Sequence, residues 1–166
     1  MTRKDATTTY FEHLSGVVTR LKNLGITDED VMCAAWLHDT IEDTKTTFDE
    51  IEQRFGDKVA VLVLSLSKDR SLSKAKQEEQ YVKQLKEASF NAKLIKLCDI
   101  SANLKDIKNS TLSKTKKVKT VRKIVRYLNA IKPRLVNNKD QIPGITSLIN
   151  GINEVVVSHG QRPIKV

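Results

Sequence analysis

Glycine, proline and cysteine are scarce in this sequence, at 6, 3 and 2 of 166 residues. With so few turn formers and little β-branched alternation, a fold of many short strands is excluded. Cys33 and Cys98 both lie in apolar helix-like runs, so they read as small core residues and indicate no disulfide framework. No stretch of 18 apolar residues occurs and no signal-peptide pattern opens the sequence. A membrane-spanning helix is therefore not expected, and a soluble cytoplasmic protein is. Aromatic residues make up only 5% and no nucleic-acid-binding motif is present, so nucleic acid is not an expected partner. Internal repeats and low-complexity linkers are also missing.

What is abundant is positive charge. Lys and Arg number 29 against 20 Asp and Glu, a formal net charge of +9. Such a balance favours an anionic partner, whether nucleotide, nucleic acid or acidic membrane surface. Helix-period patterns follow one another with short breaks. The expected fold is an all-α bundle of roughly seven or eight helices, in one domain spanning 1–166.

Residues 10–24 carry a stripe of Tyr10, Leu14, Val17, Val18, Leu21 and Leu24, with His13 near its start and Gly25 as its stop. Thr27-Asp28-Glu29-Asp30 resembles a capping box for the second helix. Thr47 with Glu50 is another, opening a short helix closed by Gly56. After Asp57, the run Val59, Val61, Leu62, Leu64 and Leu66 reads as core. A polar break over 67–74 holds Lys68, Arg70 and Lys74, and a highly charged helix follows. A basic helix from Lys117 to Lys132 carries Lys119, Arg122, Lys123 and Arg126, with Tyr127 four residues after Lys123, and Pro133 interrupts it. Residues 143–158 form a terminal helix.

Chemistry concentrates in two places. In Ala34-Ala35-Trp36-Leu37-His38-Asp39-Thr40-Ile41-Glu42-Asp43-Thr44 an apolar run ends in four groups that bind metal or move protons. Nothing before Thr44 breaks the helix pattern, so Glu42 is expected one turn beyond His38, and Asp43 one turn beyond Asp39. His38 and Asp39 offer an imidazole nitrogen and a carboxylate oxygen, a mixed set suited to Mn, Fe or Zn. In 91–108, Leu94, Leu97, Cys98, Ser101 and Leu104 trace a buried face with Asp99 in its middle. A carboxylate there is costly unless it is paired with a neighbouring Lys or bound to metal. Asn103 lies one turn on, and Asp106 about two. Two His and two Asp on three helices (His13, His38-Asp39, Asp99) make a plausible ligand set for one metal ion.

That ligand pattern resembles the HD superfamily of phosphohydrolases, and the likeness narrows further. His38-Asp39-Thr40-Ile41-Glu42-Asp43-Thr44 is similar to the signature of the Rel/Spo alarmone hydrolases. Tyr10-Phe11-Glu12-His13 resembles their Tyr-x-x-His. Leu94-Ile95-Lys96-Leu97-Cys98-Asp99 through Asn103-Leu104 resembles their K-L-x-D-x-x-x-N-L segment. Arg3-Lys4-Asp5 resembles the basic segment of the small metazoan-type enzymes. The similarity runs from about residue 3 to 109. It implies an HD-domain bundle that cleaves the 3′-pyrophosphate from guanosine 3′,5′-bis(diphosphate). His13, His38, Asp39 and Asp99 would hold one divalent ion, Mn²⁺ by analogy. Glu42 and Asp43 match the catalytic acid pair, and Asn103 would position substrate or water. Arg3, Lys4, Tyr10, Lys74, Lys123 and Tyr127 would contact the nucleotide polyphosphate.

The chain also departs from that pattern. Leu14 stands where the family usually has Pro, and Ile100 and Ala102 replace an Arg and a His of the long enzymes. The family has a helix before its basic segment, whereas this sequence starts two residues before Arg3; a truncated piece, a late start and a shortened enzyme would all read the same. In a sequence of this length a second, alarmone-making domain is not expected. Two other readings fit the same residues: hydrolysis of another nucleotide, such as an adenosine alarmone or NADPH, and non-catalytic binding of a nucleotide or nucleic acid.

Overall fold

Capping side chains and two glycines set the helix boundaries. The computed structural model describes residues 9–166. Within them the order is α1 (Tyr10–Asn23), α2 (Glu29–Leu37), α3 (Thr40–Asp43), α4 (Phe48–Phe55), α5 (Asp57–Ser65), α6 (Lys74–Glu87), α7 (Phe90–Asn109), α8 (Lys114–Asn137) and α9 (Ile145–Ser158). One 3-10 turn lies at Lys139–Gln141. Eight of these helices have eight residues or more and α3 is a single turn, so the protein is the all-α bundle that its composition implies.

Thr9 caps α1 in a reciprocal box with Glu12, and Thr47 does the same for α4 with Glu50. The cap of α2 is Asp28 rather than Thr27: the Asp28 carboxylate accepts from the Asp30 and Val31 amides at 2.9 and 3.1 Å. One carboxylate there serves two orphan donors and meets the positive end of the helix, which a hydroxyl one position earlier cannot do. Gly25 and Gly56 take positive φ of 82° and 90°, letting the chain leave α1 and turn sharply from α4 into α5.

Two expectations fail for physical reasons. Pro133 does not interrupt the basic helix, because α8 continues to Asn137. Pro133 and Asn129 are both exposed, so the carbonyl that loses its amide partner lies where water can serve it. The apolar run of α5 is only half core: Val59, Leu62 and Leu66 are buried, while Val61 and Leu64 stay exposed on the outer face.

The bundle is built around α7, which packs against α1, α2, α5, α8 and α9. Leu94, Ile95, Leu97, Cys98, Ile100, Ala102, Leu104 and Ile107 are all buried, so apolar side chains surround this helix on most sides. Truncating one of its large members, such as Leu94→Ala, removes about 2–5 kcal/mol of stability through lost transfer energy and the cavity left behind. A helix so enclosed is a rigid platform, and it carries Asp99 and Asn103. Among the described residues no helix is long and apolar enough to cross a membrane.

Candidate active site

The unbroken helix expected through residue 43 is in fact broken at its chemical centre. Helix α2 stops at Leu37, and His38-Asp39 form a turn before α3 begins. Side chains end the helix. The Thr40 hydroxyl donates to the Leu37 carbonyl at 2.6 Å, and the His38 ring uses Nδ1 on the Ala35 carbonyl at 2.7 Å. These donors take carbonyls that a further turn of helix would use. Because a carbonyl only accepts, Nδ1 must carry the proton, and the basic lone pair of neutral His38 lies on Nε2.

That nitrogen faces a cluster from three parts of the chain. His13 on α1, His38 at the break and Asp99 on α7 each place one ligand atom within 4.8 Å of the others. Asp99 Oδ1 is 3.0 Å from His13 Nε2 and 3.4 Å from His38 Nε2. Asp39 approaches each ring with a different oxygen, at 3.3 Å from His38 Nε2 and 3.9 Å from His13 Nε2. His38 Nε2 is buried and makes no hydrogen bond among the described residues. A buried polar atom without a partner is costly, and a divalent cation satisfies it. The mixed nitrogen and carboxylate donors fit such an ion.

Electrostatics support the same picture. Burial opposes a charge on His38, but Asp39 and Asp99 outweigh it and raise the imidazole pKa from 6.5 to about 9. Burial also opposes ionisation of Asp99. Lys96 and the two imidazoles reverse that and hold the carboxyl well below its ordinary range. A site that attracts protons this strongly also attracts cations.

Beside the cluster lies a cavity of about 340 Å³. His38, Asp39, Glu42, Asp43, Asp99 and Asn103 line it, together with Tyr10, Lys123 and Tyr127, so most of the residues singled out from the sequence meet here. Asn103 donates to Asp99 Oδ1 at 2.9 Å. Tyr10 donates its hydroxyl to Asp43 at 3.1 Å, and Arg70 reaches the other oxygen of that carboxylate at 2.7 Å. Burial raises the Glu42 pKa, against the pull of Lys68. Tyr127 is buried, with its hydroxyl donated to Glu78, so it forms wall rather than a free contact.

Lys74 does not line the cavity. It opens α6 as an exposed residue, and the cations that reach the cavity from this stretch are Lys68 and Arg70, placed by the loop before the helix. Arg3 and Lys4 lie outside the described residues. The sequence reading passed over Lys96 and Tyr81, which also line the cavity. Lys96 had a signal: it stands three residues before Asp99 on one helix, within salt-bridge reach. Tyr81 had none, since a single Tyr on a charged helix is indistinguishable from ordinary core.

The HD domain family matches residues 1–128. A guanosine-3′,5′-bis(diphosphate) 3′-pyrophosphohydrolase of Danio rerio is 47% identical over 105 residues, covering 63% of this chain and 58% of that protein. Its Homo sapiens counterpart is 44% identical over 111 residues, covering 66% and 62%. This chain therefore spans about three fifths of the length of these relatives. A solved structure described as a metazoan orthologue of SpoT that hydrolyses ppGpp superposes with a TM-score of 0.78 at 29% identity, covering 92% of this chain and 83% of that one. A Listeria monocytogenes structure at 24% identity shares the fold, with a TM-score of 0.66 over 90% and 96%. With the family match covering more than half of its length and the His38-Asp39 pair beside Asp99 at the cavity, the chain belongs to the HD domain family.

Proposed function

We propose that this protein, as one HD-type domain, hydrolyses the 3′-pyrophosphate of guanosine 3′,5′-bis(diphosphate) or its 5′-triphosphate analogue. Water adds to the phosphorus attached to the 3′ oxygen, the ester bond breaks, and GDP or GTP and pyrophosphate leave. The observation that carries this reading is the convergence of His13, His38 and Asp99 beside Glu42, in a cavity whose walls hold Lys68, Lys96, Arg70 and Lys123. The relatives named for this reaction support the choice of nucleotide.

His13, His38 and Asp99, with Asp39, are the residues that would hold one divalent cation, and Mn²⁺ suits their donor set. When bound, such an ion acidifies water and offsets phosphate charge. The remaining work falls to this chain's side chains. Glu42 is half-buried, and its raised pKa makes it a better proton acceptor than an exposed carboxylate. We assign it the proton of the attacking water. Asp43, held by Tyr10 and Arg70, stands next to Glu42 and orients the attacking water. Asn103, whose amide nitrogen is on Asp99 and which lines the cavity, is assigned the orientation of water or substrate. Lys123 and Arg70 offer cations to phosphate oxygens. A cavity open to solvent among helices fits work on a dissolved nucleotide.

The test is incubation of Mn²⁺-loaded protein with ppGpp, pppGpp, ppApp and NADPH, with products separated by ion exchange. Release of pyrophosphate from the guanosine compounds is expected, and its loss with EDTA. Turnover of NADPH alone would move the protein to another nucleotide, and no turnover of any compound would leave it a binder.

A further inference from the structure

We infer that Lys96 is a positioning residue, which fixes the Asp99 carboxylate so that a single oxygen, Oδ1, faces the two imidazoles. The inference rests on the reading that His13, His38 and Asp99 hold a divalent cation.

Lys96 is an unusual tenant of a core helix. Its side chain is 12% exposed, and an ammonium in such a place is costly unless its charge and donors are used. Its Nζ lies 2.8 Å from Asp99 Oδ2. The same nitrogen sits over two aromatic rings, 5.3 Å from the centre of Tyr81 and 5.2 Å from that of Tyr127. Those rings pack edge to face, with centres 5.2 Å apart. The cation–π contacts fix where the ammonium stands, and so where Oδ2 must be.

A second cation, Lys68, stands 5.3 Å from the centres of the same two rings. Two ammonium groups over one aromatic pair repel each other unless each has its own counter-ion. Lys68 has Glu78 at 2.7 Å, and Glu78 also takes the Tyr127 hydroxyl. Lys96 has Asp99. The pairing is therefore committed: Lys96 cannot turn to Glu78 without displacing Lys68, and Oδ2 stays occupied. From the other side Asn103 donates to Oδ1 at 2.9 Å. Residues three before and four after Asp99 on one helix thus hold its carboxylate from both ends. Rotation of that carboxylate, which would offer both oxygens or neither to the imidazoles, is blocked.

A purely electrostatic role predicts the opposite outcome on mutation, which makes the inference testable. A positive charge near a cation site repels the cation, so removing it should tighten binding. Removing a positioning group should weaken binding, typically by 10–100-fold for partners that orient metal ligands. The experiment is titration of the metal-free protein with Mn²⁺ alone, following free Mn²⁺ by its electron paramagnetic resonance signal. Wild type, Lys96→Met and Lys96→Gln are compared, and each metal-free protein is melted as a folding check. Lys96→Met and Lys96→Gln are both one atom shorter than lysine; Met loses charge and donors, whereas Gln loses the charge and keeps an N–H donor.

The expected order of affinity is wild type, then Gln, then Met, with Met at least tenfold weaker and still folded. Should Lys96→Met fail to fold, a weaker affinity in folded Lys96→Gln sustains the inference. Either folded variant binding Mn²⁺ as tightly as wild type, or more tightly, overturns it. Loss of affinity only in variants that are unfolded overturns it as well. Wild-type protein that takes up no Mn²⁺ instead removes the metal reading on which the inference stands, so the two failures are distinguishable.

Discussion

The two walls of the cavity differ in how firmly they are held. On one side His38 and Asp99, with His13 against them, are buried and spring from the α2–α3 break, the central α7 and α1; His38 is tied to a carbonyl and Asp99 to a lysine and an amide. On the other, Arg70 and Lys123 are exposed, Arg70 on the loop between α5 and α6 and Lys123 on the outer part of α8. The difference matches the tasks proposed for them. Ligands for a small ion must be placed to within fractions of an ångström, which needs a rigid shell. Cations that receive flexible phosphates act over longer distances and tolerate motion. Substitutions on the first wall should therefore abolish a function outright, while those on the second should grade it.

The largest effect is expected at Asp99. In Asp99→Asn one ligand loses its charge and Lys96 loses its counter-ion. Breaking one partner of a buried ion pair costs about 3–5 kcal/mol. Loss of the metal removes several kcal/mol of transition-state stabilisation, on the order of a thousandfold in rate or more. Elemental analysis, melting and pyrophosphate release should all fall together. Full metal occupancy in this variant would mean that the imidazoles alone define the site, and the contrast between the walls would be wrong.

Glu42→Gln separates chemistry from construction. Glu42 belongs to neither wall's scaffold, so metal content and melting temperature should stay near wild type while kcat falls by about 10²–10⁴-fold, as for loss of a general base. Because burial raises its pKa above the ordinary 4.5, the acid limb of the wild-type kcat/KM profile should lie above that value. An unchanged kcat would remove Glu42 from the mechanism.

The rigid wall should also show itself in pH dependence without metal. The His38 pKa rises from 6.5 to about 9 on folding, so the folded state binds its proton more tightly than the unfolded chain. The stability from that proton is fully present below pH 6.5 and is lost as pH rises through about 9. Metal-free protein should therefore melt lower at pH 9.5 than at pH 6. Mn²⁺ reverses the sign, since it must displace the proton, and its stabilisation should grow over the same window. A metal-free melting temperature that does not change between these values would mean that Asp39 and Asp99 do not hold a proton on His38.

The same contrast explains what could be read from the sequence. The all-α class and the buried face around Asp99 were legible because burial imposes helical period and leaves polar groups conspicuous among apolar neighbours, whereas the grouping of His13 with His38, Asp39 and Asp99 came with the family resemblance. The break at His38-Asp39 was not, because it depends on two side chains, His38 and Thr40, taking carbonyls that the helix would otherwise use. The span of α8 through Pro133 depended on which side of the helix faces water. The cationic wall was the least legible. Many of the 29 Lys and Arg lie on solvated faces, and sequence alone gives no way to tell Arg70 from Lys74.

Those two residues provide the smallest and sharpest test. Arg70 lines the cavity and pairs with Asp43 at 2.7 Å, but its side chain is 60% exposed. Solvent screens such a contact, so its phosphate interaction should lie near the bottom of the range for charged hydrogen bonds, on the order of 1 kcal/mol. Arg70→Ala should therefore raise KM by roughly fivefold. Added salt should shrink that difference, because screening weakens exposed charges most. A modest fall in kcat should accompany it, since Asp43 loses a partner and keeps Tyr10. Lys74 lies four residues further on, as the exposed first residue of α6, and does not reach the cavity. Lys74→Ala should leave KM within about twofold of wild type at both low and moderate salt, as surface changes away from a site usually do. A larger shift for Lys74 than for Arg70 would mean that substrate extends beyond this cavity, along the start of α6, and that the proposed cationic wall is misplaced.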